Sequence, residues 1–329
     1  MSRRIPVAVV VAFAAILVAL LVGRQYRSSP AASAGPRERV AGVQGIQQPR
    51  STPEAEKVDV AALNAAADYA AAHDSTALIV SRHGHVIFER YWDGTSRDTV
   101  VDAGAFGRTV AAMLVGVALD QRHIASADEP VSSFVDSFAG EGRGRTTIRE
   151  LLQMDDPRSL ALLVQQLSGK RYAAALSREL WRPLSAGDAW VVLDGPDGLA
   201  RVDCCFFAKQ GDWMRVAQLL LDDGEYQGSR ILPRGWARQL MLPSARDPAE
   251  GSQLKLGIPR DGLSLEGEGR SRLWLHPGLH LAVLRLGREP AQKWDEARIP
   301  SLVVAGVIDR PAAPPSTNEV DLSRLVPHH

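Results

Sequence analysis

The first strong pattern along the chain is an apolar run at residues 5–23, IPVAVVVAFAAILVALLVG, which contains no charged residue. A helix of this length comes close to spanning the roughly 30 Å hydrocarbon core of a bilayer. Arg3 and Arg4 precede the run, and Arg24 and Arg27 follow it. Two interpretations are open, a retained membrane anchor and a cleaved signal peptide. The run is longer than a usual signal-peptide core, which favours the anchor.

The apolar run divides the chain into segments of different composition. Residues 1–4 form a short tail, residues 24–57 are rich in Ser, Pro, Gly, Gln, Ala and Arg, and residues 311–329 contain PAAPPS. Segments without a hydrophobic period are typical of tethers, so we expect a flexible linker at 24–57 and a tail at 311–329. The periodic residues lie between them, which predicts one folded domain at 58–310.

Within that domain, strand-like and helix-like patterns follow each other in an α+β order. TALIVS at 76–81 and HVIFERYW at 85–92 meet at a glycine turn, which predicts a β-hairpin. Residues 105–119 are apolar nearly all round, which indicates a buried helix. We also predict helices at 58–73, 147–152, 160–167, 171–181, 212–221, 233–240 and 299–307 and strands at 272–276 and 280–286. Strands from both chain ends around a mostly helical middle predict one antiparallel sheet flanked by helices.

Composition narrows the classes of function. The chain is 45% hydrophobic and 23% charged, which is ordinary for a globular protein and excludes a disordered or collagen-like chain. Lys+Arg and Asp+Glu are both 38, so the formal net charge is zero and we expect no nucleic-acid partner. The only cysteines, Cys204 and Cys205, are adjacent. Since a disulfide between neighbours is strained, we expect two small buried residues in a strand, with a redox role as the minor alternative.

Five phrases occur in a fixed order along the domain. They are TALIVSRHGHVIFERYWDG, DEPVSSFV, TIRELLQM, SGKRYAAALSRELWRPLSAGDAWVVLD and DWMRVAQLLLDDGEYQGSRILPRGW. Their order resembles the serine β-lactamase and penicillin-binding-protein family, most closely its esterase and oligoamide-hydrolase branch. The resemblance extends from about Leu78 to Val307. It implies a β-lactamase/transpeptidase-like fold, and we expect neither a cofactor nor a metal.

The nucleophile of this family is the Ser of an S-x-x-K motif at the start of the buried central helix. The matching stretch here is Ala105-Phe106-Gly107-Arg108, and residues 97–125 contain no Ser and no Lys. Ala105 has no oxygen with which to form an acyl-enzyme. Arg108 stays protonated at any ordinary pH and therefore cannot replace the Lys as a base. The resemblance thus implies that both catalytic positions are degenerate.

The two other motifs of the family also depart from its pattern. A Tyr or Ser belongs on a loop after the TIRELL-type helix, but residues 154–158 lead directly into the next predicted helix. Tyr172 lies beyond that point, in a helical phrase where we expect it to pack. The K-T-G or H-x-G motif has its nearest counterpart in Gly267-Glu268-Gly269, which lacks the cation or hydroxyl. Three independent departures predict a catalytically inactive protein.

Arg108 is the one charge on an otherwise apolar helix and needs a partner. That partner is either an acid such as Asp102 or Asp155, or a ligand carboxylate in the cleft of the family. Thr109 is the hydroxyl nearest to the missing nucleophile, and an ordinary helix residue is the favoured interpretation. The candidate cleft residues are therefore Arg108, Thr109, Gly267 and Gly269.

Two further patterns are more typical of structure than of chemistry. The literal S-x-x-K at 252–255 lies in a predicted loop-to-strand region rather than on a buried helix, which favours chance. His276 and His280 are separated by a Pro-Gly turn, and a metal-binding H-x-x-x-H pair requires one helix face.

These observations lead to one prediction and two alternatives. The positive charges around residues 5–23 do not orient the segment by themselves, but the resemblance implies a domain on the extracytoplasmic or periplasmic side. We predict a single-pass membrane protein, catalytically inactive, that binds a peptide-like ligand or an envelope protein. One alternative is an active amidase or esterase with a relocated nucleophile such as Thr109 or Ser252. The other is a structural subunit paired with a working paralogue.

Overall fold

The computed structural model describes residues 35–140, 142–241, 254–255 and 263–309. Its strands are β1 (Arg37–Val40), β2 (Ser75–Arg82), β3 (His85–Tyr91), β4 (Val100–Asp102), β5 (Ala189–Val192), β6 (Phe206–Lys209), β7 (Glu225–Tyr226), β8 (Ser229–Arg230), β9 (Leu254–Lys255), β10 (Leu263–Glu266), β11 (Arg272–His276) and β12 (Leu281–Gly287). Its helices are α1 (Val60–Ala71), α2 (Phe106–Asp120), α3 (Ile148–Gln153), α4 (Pro157–Ser168), α5 (Tyr172–Leu176), α6 (Trp213–Leu221), α7 (Trp236–Met241) and α8 (Arg298–Ala305).

The main sheet joins the two ends of the domain. Among the described residues its strand order is β3-β2-β12-β11-β10-β9, and all neighbours are antiparallel. The predicted hairpin is confirmed as β2 and β3. Its turn residues His83 and Gly84 both have positive φ, as a tight primed turn requires. The predicted α+β class and the antiparallel sheet built from both chain ends are confirmed.

Helices cover both faces of this sheet. Leu78 and Val80 of β2 are fully buried in a cluster with α1 and α8, which pack against each other. Ala77 and Ile79 alternate with them and join the larger core on the opposite face, which contains α2 and α6. Successive strand residues point to opposite faces, so a strand covered on both sides is apolar throughout. This explains why β2 shows no polar face in the sequence.

Helix α2 runs through the larger core, and its predicted burial is confirmed. Residues at every angle around its axis are buried, and Arg108 is one of the few that are not. Gly116 lets the Trp236 indole of α7 lie directly against the helix, where any Cβ would collide with the ring. The indole Nε1 donates to the carbonyl of Ala112 at 3.1 Å. This close fit fixes the position of α2 in the larger core, while its first turn stays exposed.

A second antiparallel sheet, which the sequence did not predict, lies beside the N-terminus of α2. Its strand order is β1-β5-β6-β4. Strand β4 pairs with β6 from Val100↔Lys209 to Asp102↔Phe207 and then leads directly into α2. The backbone amide of Ala103 extends this pairing by donating to the carbonyl of Phe206 at 3.1 Å. This sheet therefore fixes the point at which α2 begins.

The flexible linker predicted at 24–57 is wrong for residues 35–57. Strand β1 pairs with β5 over its full length. Val43 N–H donates to the carbonyl of Ala186 at 2.7 Å, and the carbonyl of Ile46 accepts from Arg215 Nη2 at 2.5 Å. These long-range backbone contacts leave no trace in local composition, which is why a Pro- and Gln-rich stretch resembled a tether.

Several sequence predictions lie outside the described residues. They concern the tail at 1–4, the apolar run at 5–23, linker residues 24–34, Ser252 and the tail at 311–329. In the described ranges no helix is both long and apolar enough to cross a membrane.

Candidate functional site

The first turn of α2 places the position of the missing nucleophile at the surface. Ala105 precedes the helix, is exposed, and makes no side-chain cap hydrogen bond. Behind it, Phe106 is fully buried and packs edge-on against Trp213, with ring centroids 5.1 Å apart. The group exposed at this position is therefore the Ala105 methyl group, and the packed Phe106 side chain lies behind it.

The segment around Gly267 forms the neighbouring wall of the site. A Cβ on Gly267 would lie 2.8 Å from the carbonyl oxygen of Ala103, and a Cβ on Gly104 would lie 2.7 Å from the amide nitrogen of Glu268. Both distances are shorter than a side chain tolerates, so the two backbones meet only because these residues are glycines. Gly267 is thus next to the start of α2, where the third motif of the family is expected.

Gly269 has a different role from Gly267. Its φ is +62°, and its carbonyl accepts from Arg285 Nη1 at 2.5 Å. It packs against Gly287 and Arg288 at the end of β12 rather than against α2. The structure therefore brings Gly267, but not Gly269, together with the first turn of α2.

Arg108 lies at the mouth of the site with most of its donors uncommitted. Its Nη1 is 3.2 Å from Oδ1 of Asp155, which confirms the predicted pairing with that acid rather than with Asp102. The Arg108 side chain is 16% exposed, whereas that of Asp155 is 96% exposed. Arg108 Nε is buried and has no hydrogen-bond partner among the described residues. Burial lowers the pKa of Arg108, and the negative charges of Asp155 and Asp203 oppose that shift.

The Asp102 carboxylate stabilises the turn between β4 and α2. Its Oδ1 accepts from the Gly104 amide at 2.9 Å. Burial raises the pKa of Asp102 above its usual 3.8; the Gly104, Cys205 and Phe206 amides lower it, and the Glu268 charge raises it further. This acid therefore positions the backbone under Ala105.

Thr109 and Tyr172 point away from the site. Thr109 is 3% exposed, so its hydroxyl is not open to a substrate. Tyr172 is 2% exposed, as the packing interpretation predicted, and burial raises its pKa. Residues 154–156 alone connect α3 to α4, and Asp156 caps α4 by accepting from the Ser159 amide at 3.0 Å. The loop that carries the second motif of the family is accordingly short here.

The expectation of two unbonded cysteines in a strand is wrong. Cys204 and Cys205 form a disulfide with each other in the loop before β6. Cys204 is partly exposed and Cys205 is buried. The signal was in the sequence, because the chain contains these two cysteines and no other. The general rarity of disulfides between adjacent cysteines led to the opposite expectation.

No cluster of three or more His, Cys, Asp or Glu side chains in the described part of the chain could hold a metal ion. His276 and His280 flank a 3₁₀ turn at Pro277–Leu279, so they do not share a helix face.

Comparisons with known proteins agree with this geometry. The Beta-lactamase family model matches residues 61–155. The chain is similar to the putative 6-aminohexanoate-dimer hydrolase from Bacillus anthracis, with a TM-score of 0.67 and 13% identity over 84% of this chain and 90% of that one. It is also similar to a putative beta-lactamase from Bacteroides dorei, with a TM-score of 0.62 and 16% identity over 76% and 99%. These likenesses support the resemblance to the β-lactamase and penicillin-binding-protein family and show that the chain has the β-lactamase/transpeptidase-like fold.

A curated relative is similar to part of the sequence. The chain is 29% identical over 147 residues to the 6-aminohexanoate-dimer hydrolase of Paenarthrobacter ureafaciens, which is 40% of this chain. The match spans only 37% of that relative's length. The matched family region includes Ala105 and Arg108, so the departure at these two positions lies inside the part of the chain that the family model recognises.

Proposed function

We propose that this protein is a non-hydrolytic member of the β-lactamase-like family that binds a peptide-like ligand at the first turn of α2. The observation that carries the proposal is the state of Arg108. Its charged group is mostly buried, its Nε has no partner among the described residues, and its one ion pair is with a fully solvated acid.

A ligand carboxylate fits this arrangement better than Asp155 does. An ion pair with a 96% exposed side chain contributes only about 0–1 kcal/mol. A carboxylate that entered from the cleft could accept from two nitrogens of the guanidinium at once, and bidentate charge-assisted pairs are the stronger kind. Replacing Asp155 therefore costs little, and a bidentate pair in its place adds stabilisation.

The acids around Arg108 favour a ligand that also carries N–H donors. Asp203 and Glu268 are both exposed at the edges of the site. Asp203 interacts electrostatically with Arg108, and Glu268 interacts with Asp102. A cation with exposed acids near it is complementary to a molecule that has a carboxylate and amide or ammonium groups. Peptides have both.

The absence of hydrolysis follows from the side chains at the two catalytic positions. Ala105 cannot form an ester, and a guanidinium cannot accept the proton of a hydroxyl nucleophile. Thr109, the neighbouring hydroxyl on α2, is buried.

We further propose that the domain is held at a membrane on the extracytoplasmic side, where an envelope protein is the alternative partner. The apolar run at 5–23 supports an anchor. The disulfide at Cys204–Cys205 supports an oxidising compartment, because disulfides rarely persist in the cytosol. Separating membranes from soluble protein after expression of the full chain tests the anchor, and recovery in the soluble fraction would contradict it.

Ligand binding is tested by calorimetry on the full chain in detergent micelles. The probes are an N-acetylated dipeptide with a free carboxylate and the same dipeptide as its C-terminal amide. We expect the free acid to bind more tightly, and Arg108→Ala to weaken its binding by about 10- to 100-fold, the usual contribution of a charge-assisted pair. Arg178→Ala is the matched control, since the Arg178 side chain is 70% exposed in the helical turn that follows α5. Equal binding by the wild type and Arg108→Ala would overturn the proposal.

A second candidate is an active amidase or esterase whose nucleophile lies elsewhere, which the hydrolase names of the relatives favour. Incubation with a reactive penicillin and a fluorophosphonate, followed by intact mass, separates the two. We expect no adduct on folded protein. An adduct mapped to one residue would establish the hydrolase.

A further inference from the structure

We propose that the Cys204–Cys205 disulfide is a reversible redox site whose state controls the backbone under the first turn of α2. The proposal goes beyond ligand binding, although its effect on affinity rests on the proposed function. Three features carry it: the hydrogen bonds of the loop, its position beside Arg108, and the backbone conformation that the disulfide holds.

The disulfide loop is hydrogen-bonded to both strands that position the site. The Cys205 amide supports the Asp102 carboxylate at the end of β4, and the Cys205 carbonyl accepts from Val192 N–H of β5 at 3.2 Å. The next residue, Phe206, accepts from the Ala103 amide at 3.1 Å. A shift of Cys205 would therefore reach Asp102 through its carboxylate and, through Phe206, the backbone of Ala103.

The same loop also touches α2 directly. A Cβ on Gly107 would lie 2.9 Å from the carbonyl oxygen of Val202, so the loop backbone rests on the first turn of the helix. Asp203 follows Val202 and interacts electrostatically with Arg108. The disulfide thus lies at the end of a segment that forms one wall of the candidate site.

Cys205 has a φ of +65°, a left-handed conformation that is unfavourable for a residue with a side chain. Closing a ring between neighbouring residues leaves the chain few alternatives. Opening the ring removes that constraint and lets Cys205 return to negative φ. Such a change rotates the Cys205 peptide group away from Asp102, because φ sets the direction of the adjoining amide.

The chemistry is a thiol–disulfide exchange with a dithiol reductant. A thiolate of the reductant attacks Sγ of the partly exposed Cys204, the Sγ–Sγ bond breaks, and Cys205 leaves as a thiolate. The second thiol of the reductant then attacks the mixed disulfide and releases Cys204. The reductant is oxidised to its disulfide, and its two thiol protons end on Cys204 and Cys205. Because the chain has no other cysteine, no third thiol competes.

Two reporters of the loop exist within the protein. Phe206 packs against Trp181 and Trp213 with ring centroids 5.0 and 5.3 Å apart, and both indoles are fully buried. Tryptophan fluorescence therefore senses a movement of Phe206. Hydrogen exchange of the Ala103 and Val192 amides senses the loss of their hydrogen bonds to this loop.

The experiment compares oxidised and dithiothreitol-treated full-length protein. We expect two alkylations by iodoacetamide in the folded, reduced protein, about tenfold faster exchange at Ala103 and Val192, and a fluorescence change, all reversed by an oxidant. The double variant Cys204→Ser/Cys205→Ser should exchange like the reduced protein with or without dithiothreitol. Alkylation without altered exchange, or no alkylation before unfolding, would overturn the proposal.

The failure of this inference can be distinguished from the failure of the proposed function. Alkylation and hydrogen exchange need no ligand, so they test the redox site alone. Dipeptide binding measured in both redox states then tests the coupling, for which we expect a several-fold difference in affinity. If exchange changes while neither state binds the dipeptide, the redox site stands and the proposed ligand is wrong. Equal affinities in the two states would overturn the coupling.

Discussion

Two arginines in the same domain, Arg215 of α6 and Arg108 of α2, illustrate how differently a buried guanidinium can be used. Arg215 is 4% exposed, and its nitrogens donate in several directions. Its acceptors are the Asp212 carboxylate at 3.2 Å, the Leu184 carbonyl at 3.2 Å, the Tyr226 hydroxyl at 2.9 Å and the Ile46 carbonyl at 2.5 Å. Within the part of the chain that the structure describes, Arg108 has one ion-pair partner, on a solvated side chain.

The difference separates a structural cation from one that is available to a ligand. Arg215 links α6 to the segment at 35–57, so its hydrogen bonds are already used by the fold. Arg108 is largely desolvated, its Nε has no hydrogen-bond partner among the described residues, and the acid that it pairs with is solvated, an arrangement that a fold retains only where another requirement outweighs the cost. The following predictions test this contrast.

The largest effect is expected from Arg215→Ala. It leaves Asp212, which is 6% exposed, without a cation, and breaking a buried pair costs about 3–5 kcal/mol. Urea unfolding monitored by circular dichroism measures the loss. Arg178→Ala should change stability by less than about 0.5 kcal/mol. A loss below about 1 kcal/mol for Arg215→Ala would mean that Arg215 is not the anchor that we infer.

Asp102→Asn extends the comparison to the acids, since Asp102 is partly buried with no cation at hydrogen-bonding distance among the described residues. Because burial raises the pKa of Asp102 above 3.8, the folded state binds its proton more tightly than the unfolded state. The contribution of Asp102 to stability therefore falls as pH rises from about 3.8 through the higher folded pKa. Because the wild type loses this contribution on ionisation, we expect Asp102→Asn to gain stability relative to the wild type as the pH rises from 3.8 towards neutrality. Urea unfolding across this pH range measures the difference in stability between the variant and the wild type. A stability advantage of the variant that grew on acidification would contradict the raised pKa of Asp102.

Arg108→Ala should have a smaller effect on stability than Arg215→Ala. The ion pair that it removes is exposed on one side, so we expect a loss of about 1 kcal/mol or less, most of it from packing of the side-chain stem. The same variant should abolish most dipeptide binding. A stability loss as large as that of Arg215→Ala would show that Arg108 is structural.

The smallest effect on stability is expected from Asp155→Asn. A side chain that is 96% exposed contributes little to folding, so the change should stay within about 0.5 kcal/mol. Removing the competing carboxylate should tighten binding of the free-acid dipeptide several-fold, and the amide should be unaffected. Weaker binding of the acid would mean that Asp155 helps to hold the ligand.

Local patterns were sufficient to predict most of the large elements. The helix predicted at 147–152 begins with a complete capping box of Thr147 and Glu150, with hydrogen bonds of 3.1 and 3.0 Å. Local sequence also predicted the glycine turn between β2 and β3 and the burial of α2. The short strands β4 and β6 were not predicted, because three or four residues carry no measurable alternation and their pairing joins segments about a hundred positions apart.

The sequence predicted which residues replace the catalytic residues of the family, but not how the residues of the candidate site are placed in space. Ala105 and Arg108 stood out because a resemblance supplied what those positions should contain. Asp203 did not stand out, since only the return of the chain from β5 to β6 brings it close to Arg108. Gly269 was expected in the cleft and lies at β12 instead, because its left-handed backbone serves the end of the sheet.

The sequence by itself determined the class of fold, the order of its main helices and strands, and the loss of a hydroxyl and an amine at the start of α2. Side-chain identity and short-range periodicity carry that information directly. Only the tertiary structure decided that Arg108 has a buried nitrogen without a partner, that residues 35–57 are part of the domain, and that Cys204 and Cys205 lie beside the site. Burial and long-range backbone pairing decide these features, and neither is encoded in neighbouring residues.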